Sequence, residues 1–167
     1  VGLDGARTEI PFTSDLRGAG YRIVDVRWSP AGDRVAATVQ RPSDGRGDIY
    51  LASRAAPQWV RATALDDAYA ADWLTNDELL AHTTGGVLGI LRAGTLNALR
   101  PLTGLPATSP ILGDDGRIHF LSGAIQPARD PAVPFLSATR STVWSVTVDG
   151  GDLRRETSLE QDEVRLD

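Results

Sequence analysis

An alternating apolar strand, a tight polar turn and a second apolar strand occur three times along the chain. Residues 24–37 read Val-Asp-Val-Arg-Trp28-Ser-Pro30-Ala-Gly32-Asp33-Arg-Val-Ala-Ala. Residues 69–81 return to the form around Trp73, with Asn76-Asp77 at the turn. Residues 107–120 give it again around Ile111, with Asp114-Asp115-Gly116 at the turn. Alternating residues reach opposite faces of a strand, and Gly, Asn and Asp take the positive φ of hairpin turns at little cost. Each unit therefore begins as a β-hairpin with at least one face to bury.

The spacing sets the size of the unit. Trp28 and Trp73 are 45 positions apart (73 − 28), and Trp73 and Ile111 are 38 apart (111 − 73). Four-stranded propeller blades take roughly 40–45 residues each. Two further strands per unit can be read at the expected places. They are residues 48–53 and 58–63 in the first unit, 87–91 and 99–103 in the second, and 142–148 and 153–157 in the third. The expected fold is all-β, made of four-stranded antiparallel blades. Aromatic residues recur with the period at Trp28, Tyr50, Trp73 and Trp144. Such repetition favours packing between blades over a ligand cage.

The stretch WSPAGDRVAATVQRPSDGRGDIYLAS resembles the WD40-like (PD40) repeat of the TolB family. Trp28, Ser29, Pro30, Gly32, Asp48, Ile49 and Tyr50 carry the likeness, and Ala31 departs from the usual Asp. The second unit keeps Asp72-Trp73 and its turn, and the third keeps Asp115-Gly116 and the strand of Trp144. The resemblance implies a propeller of radially packed sheets, periplasmic or exported, that binds other proteins. Residues 21–38 also resemble the propeller of the actinobacterial lipoprotein LpqB family, which partners a sensor kinase.

The repeat divides the chain into blades at 20–64, 65–104 and 105–159, the last with an insertion over 123–138. Residues 1–15 match the third-to-fourth-strand hairpin of a preceding blade, because Asp4-Gly5 echoes Asp149-Gly150. Residues 160–167 read as the start of another first strand. That amounts to about three and a half blades of a larger propeller. Neighbouring repeats bury one another's apolar faces, so an arc leaves two end faces open. Both are expected to be rich in Val, Leu, Ile and Trp, and to be covered by a second copy or by the remainder of the same propeller.

Composition narrows the function. The net charge is −5 and the basic residues, all Arg, never exceed two in a row, which argues against nucleic acid. No apolar run approaches a membrane span. Val1 stands where a Met would, with no signal-peptide pattern, so a mature or excised segment is expected. Lys, Cys and Met are absent, which removes thiol chemistry and suits a GC-rich bacterial source.

No catalytic, cofactor or metal site is expected. There is no G-x-S-x-G elbow, P-loop or dinucleotide glycine pattern. His82 and His119, the two histidines, fall in different blades. Asp114-Asp115 and Asp149…Asp152 lack calcium-loop spacing, and the Arg46-Gly47-Asp48 tripeptide falls at the start of a strand. The insertion is the candidate partner-binding loop, through Gln126, Pro127, Arg129, Asp130, Pro131, Val133, Pro134 and Phe135. Long loops on rigid scaffolds commonly carry recognition. The functional expectation is a non-enzymatic interaction or sensor module of the cell envelope. The alternatives are the propeller part of a prolyl-oligopeptidase-like serine peptidase, which a neighbouring G-x-S-x-G segment would reveal, and a self-assembling half-propeller.

Overall fold

The computed structural model describes residues 10–11, 14–123 and 141–159. Three four-stranded antiparallel sheets follow one another, each a simple meander. Blade 1 holds β1 (Arg22–Trp28), β2 (Arg34–Gln40), β3 (Gly47–Ser53) and β4 (Val60–Arg61). Blade 2 holds β5 (Ala68–Trp73), β6 (Glu78–Thr83), β7 (Leu88–Arg92) and β8 (Leu99–Pro101). Blade 3 holds β9 (Thr108–Leu112), β10 (Arg117–Ser122), β11 (Ser141–Thr147) and β12 (Arg154–Leu159). The first strands β1, β5 and β9 lie beside one another, as in a propeller, where they face the axis. One helical turn, α1 (Ser14–Gly18), precedes them where the end of a hairpin was expected. Residues 1–9, 12–13, 124–140 and 160–167 lie outside the described residues, and with them all of the insertion but residue 123, including all eight candidate loop residues.

Two apolar cores hold the sheets together. Between blades 1 and 2, Trp73, Leu79 and Leu91 pack on Ala36, Ile49 and Ala62. Small residues on blade 1 leave room for the indole of Trp73 from blade 2. Between blades 2 and 3, Leu80, Leu88 and Ile90 meet Ile118, Phe120 and Val146. Blade 2 is thus covered on both faces, and β6 reads as a continuous apolar run, Leu79-Leu80-Ala81, instead of an alternation.

Gly89 of β7 sits where Tyr50 and Trp144 sit in the other third strands, since they pair with Ala81, Ala37 and Phe120, each two residues past the second-strand partner of the last first-strand residue. A Cβ there would lie 2.7 Å from the Arg100 carbonyl oxygen and 2.9 Å from the Leu99 side chain. The bare backbone lets β8 close onto β7.

Pairing corrects one detail of the repeat. Trp28 stands opposite Val35, Trp73 opposite Leu79, and Leu112 opposite Ile118. The third unit therefore carries Leu112, not Ile111, at the tryptophan position. Ile111 points to the other face and is 61% exposed.

Candidate interaction surface

The turns are built by their own polar residues. Ser29 Oγ donates to Asp33 at 2.9 Å and accepts from the Arg34 amide at 3.1 Å, while Gly32 adopts a φ of +67°. Pro30 precedes it and fixes the turn entry. Gly116 repeats the device with a φ of +74°. Adjacent turns are linked: the Ala31 amide donates to Asn76, and Arg34 pairs with Asp77 at 3.0 Å.

The residues with chemical potential are dispersed. His82 stacks on Tyr69 at 5.6 Å, and its Nδ1 is buried without a hydrogen-bond partner among the described residues. Burial lowers its pKa below the ordinary imidazole value. It borders a cavity of about 390 Å³ with Asp25, Asp72 and Ile111. His119 lies on the outer face of blade 3, 3.2 Å from Asp115. Among the described residues no three His, Asp or Glu side chains gather around a common point. The Asp115 carboxylate also accepts from the Arg117 amide, Asp149 accepts from Thr147 and Gly151, and Asp152 pairs with Arg117 and Arg154.

In the Arg-Gly-Asp tripeptide, Gly47 and Asp48 are buried in β3. Asp48 accepts from Thr63 Oγ1 at 2.8 Å and the Leu65 amide at 3.0 Å, and pairs with Arg61. Its carboxylate is spent on holding β3 to the segment after β4, so the tripeptide offers no free acid to a partner.

What remains open is apolar. Trp28 occupies the place of Trp73, yet Trp73 is 3% exposed and Trp28 59%. The expectation that both indoles are packed holds only for Trp73. The difference lies in what stands opposite: Trp73 faces blade 1, and the face of blade 1 that carries Trp28 meets no blade among the described residues. Leu16, Tyr21 and Trp59 cover its outer half over Val39 and Tyr50. Along β1, Ile23, Val24, Val26 and Trp28 all stay exposed.

A second apolar surface is a groove of about 850 Å³ between the β3–β4 and β7–β8 hairpins, lined by Leu51, Val60, Ala62 and Leu96. The strip of Ile23, Val26 and Trp28 on β1 and this groove were not singled out in the sequence; Val24, at a bulge, borders the His82 cavity instead.

The opposite end is different in kind. The outer face of blade 3 presents Arg117, His119 and Ser145, beside Leu121 and Val143. Ser145 is fully buried, donating to Glu156 and accepting from Arg117 Nε at 2.9 Å. The two end faces are therefore unlike, and the expectation of two equally apolar ends is corrected for blade 3.

Superposition on solved structures gives the architecture its place. A TolB-type protein of Agrobacterium tumefaciens matches 80% of the chain with a TM-score of 0.57 at 21% identity. TolB of Acinetobacter baumannii matches 96% of it with a TM-score of 0.55 at 19% identity. The fold is that of a TolB-like β-propeller. The chain spans 45% and 38% of those two proteins, so its blades correspond to under half of a TolB chain. No protein-family model matches the sequence, and no curated protein does. Among the described residues no helix is long and apolar enough to cross a membrane.

Proposed function

We propose that the chain is a non-enzymatic protein-interaction or sensor module of the bacterial cell envelope, built on TolB-like blades. The observation that carries this is the exposed strip Ile23, Val26 and Trp28 on β1, which share one face of the sheet across the bulge at Val24. Apolar side chains held in a row on a rigid sheet are ready to bury area against a partner at little ordering cost. The likeness to TolB structures supports an extracytoplasmic setting, and the likeness to the LpqB propeller rests on the sequence alone. The described serine side-chain contacts support a non-catalytic role. Ser29 bonds Asp33, Ser53 accepts from the Ala56 amide, and Ser145, although it stands opposite His119 in the sheet, bonds Arg117 and Glu156 and not the imidazole that would activate a serine nucleophile.

The test is made in the producing bacterium, with a photo-crosslinking amino acid in place of Val26. A discrete adduct in the envelope fraction, lost when Trp28→Asp is added, is expected. A chain confined to the cytosol without an adduct overturns the reading. The purified chain is also expected to leave generic ester and peptide substrates unturned. Turnover abolished by replacing a single Ser or Asp would make it part of an enzyme.

A further inference from the structure

The two junctions between blades are built on one register and finish differently. Blade 1 turns the row Ala36·Leu51·Val60 toward blade 2, and blade 2 turns the row Leu80·Ile90·Arg100 toward blade 3. The inner members of both rows pack into the two cores. The outermost members part company. Arg100 reaches the β11–β12 turn, where its guanidinium donates to the carbonyl oxygens of Val148 at 3.1 Å and Asp149 at 3.3 Å. Val60 has no donor to send across. It stays 65% exposed, as does Leu96, at 63%, in the β7–β8 turn on the other side. The unbridged gap between them is the groove of about 850 Å³, with Leu51 and Ala62 in its floor.

The polar lining of the groove is selective. Gln58 offers a side-chain amide, donor and acceptor in one group, with no side-chain partner among the described residues. Three arginines border the groove against one carboxylate, that of Asp33, which already accepts from Ser29 Oγ. Arg34 pairs with Asp77, and Arg61 with Asp48 and Asp66. Arg54, just past the end of β3, pairs with no acid among the described residues. In a chain of net charge −5 this corner is locally positive.

We propose that the groove binds an extended peptide segment of another protein, with apolar side chains set between Val60 and Leu96 and an Asp or Glu carboxylate on Arg54. The surface lies apart from the strip on β1, so the proposal goes beyond the reading given to that strip. Each part of the groove has its counterpart in such a segment. The aliphatic floor takes the apolar side chains, and the Gln58 amide bonds the peptide backbone. The guanidinium of Arg54 takes a carboxylate as a two-pronged partner. A basic segment would meet the same three arginines and be repelled. The walls belong to two packed sheets, so the ordering cost of binding falls on the peptide.

The test pans the purified full chain against a display library of random short peptides. Enriched sequences are expected to carry apolar residues beside an Asp or Glu. The enriched peptide, synthesised with a fluorophore, is then titrated by fluorescence polarisation. Val60→Arg places the residue type of blade 2 at the open position and fills the gap, and affinity should fall about tenfold or more. Arg54→Glu should weaken binding by a similar factor, and exchanging the peptide's acid for Lys should then recover part of the loss, which a change in packing alone would not give. Both positions are exposed, and an unchanged urea midpoint shows that the variants are folded. The charge exchange at Arg54 decides the matter without Val60→Arg. Trp28→Asp should leave the titration unchanged, so that failure here and failure of the β1 strip are told apart. Enrichment of basic or uncharged sequences overturns the proposal, and so does affinity that either folded groove variant leaves unchanged. No enrichment at all, the result if another part of the same polypeptide fills the groove, overturns it too.

Discussion

Trp73 and Trp28 hold one position in successive sheets and sit in different surroundings, so their removal should not cost the same. Trp73 is enclosed by both blades, and Trp73→Ala is expected to cost about 3–5 kcal/mol, the usual loss for a buried aromatic. Trp28→Ala removes a half-solvated ring and is expected to stay within about 1 kcal/mol in the separate chain. Urea denaturation of the two variants checks this, and equal losses would mean that Trp28 is covered in solution. His82 gives a second residue-level expectation. Its burial lowers its pKa from the ordinary 6.5, so below that value the unfolded chain binds the proton more readily than the folded one. The stability from keeping His82 neutral is complete above about pH 6.5 and is lost as pH falls toward the folded pKa. His82→Gln should therefore flatten the fall in urea midpoint between about pH 7 and about pH 5. An unchanged slope would assign the acid sensitivity to the carboxylates.

At the scale of strands and turns, the sequence was legible wherever local chemistry and tertiary packing agree. The Ser-Pro-Ala-Gly-Asp turn after Trp28 reappears as bonded geometry, and the alternation of β1 holds over residues 25–28 but is broken by a bulge at Val24. The fourth strands of blades 1 and 2 are shorter than their stretches suggested, whereas β12 runs Arg154–Leu159 against the expected 153–157. β4 keeps only Val60–Arg61 of the expected 58–63, since Ala62 and Thr63 turn inward to bond the Ile49 backbone. The third repeat was misread by one residue because its turn, Gly113 to Arg117, has no tryptophan to mark the last strand position. The polarity of blade 3's outer face was legible as Arg117-x-His119 and Ser145, but only pairing reveals that these residues share one face. Asp48 was read in the sequence as part of the Asp-Ile-Tyr repeat match and of the tripeptide, and its bonding role was not. Its carboxylate joins β3 to the approach to β5, through Thr63, Leu65 and Arg61. Asp48→Ala orphans these donors and is expected to cost about 1–3 kcal/mol. Thr63→Val should recover only part of that loss when combined with it, as a double-mutant cycle in denaturant would show; strict additivity would mean the contacts do not act together.

Across the molecule, stability is expected to be graded from blade to blade. In a repeat protein it is close to a sum of each unit and its interfaces with neighbours. Blade 2 has an interface on both sides, whereas blades 1 and 3 each have one among the described residues. Opening blade 1 breaks only the contact centred on Trp73, and opening blade 3 only the contact of Leu80 and Ile90 with Ile118 and Phe120. Opening blade 2 breaks both. Amide exchange follows such local openings, with the slowest amides reporting the most global one. In the separate chain, the amides of β6 are therefore expected to exchange slowest. Those of β1, exposed along nearly its whole length, should be the fastest among the first strands. The grading should also respond to substitution in one direction. Trp73→Ala weakens the interface between blades 1 and 2, so protection should fall in β1 to β4 while that of β10 and β11 changes little. Hydrogen exchange read by mass spectrometry on overlapping peptides resolves the three sheets. Equal protection in all three, or a loss in β10 and β11 as large as in β2 and β3, would mean that the blades open as one unit and that the interfaces are not separable.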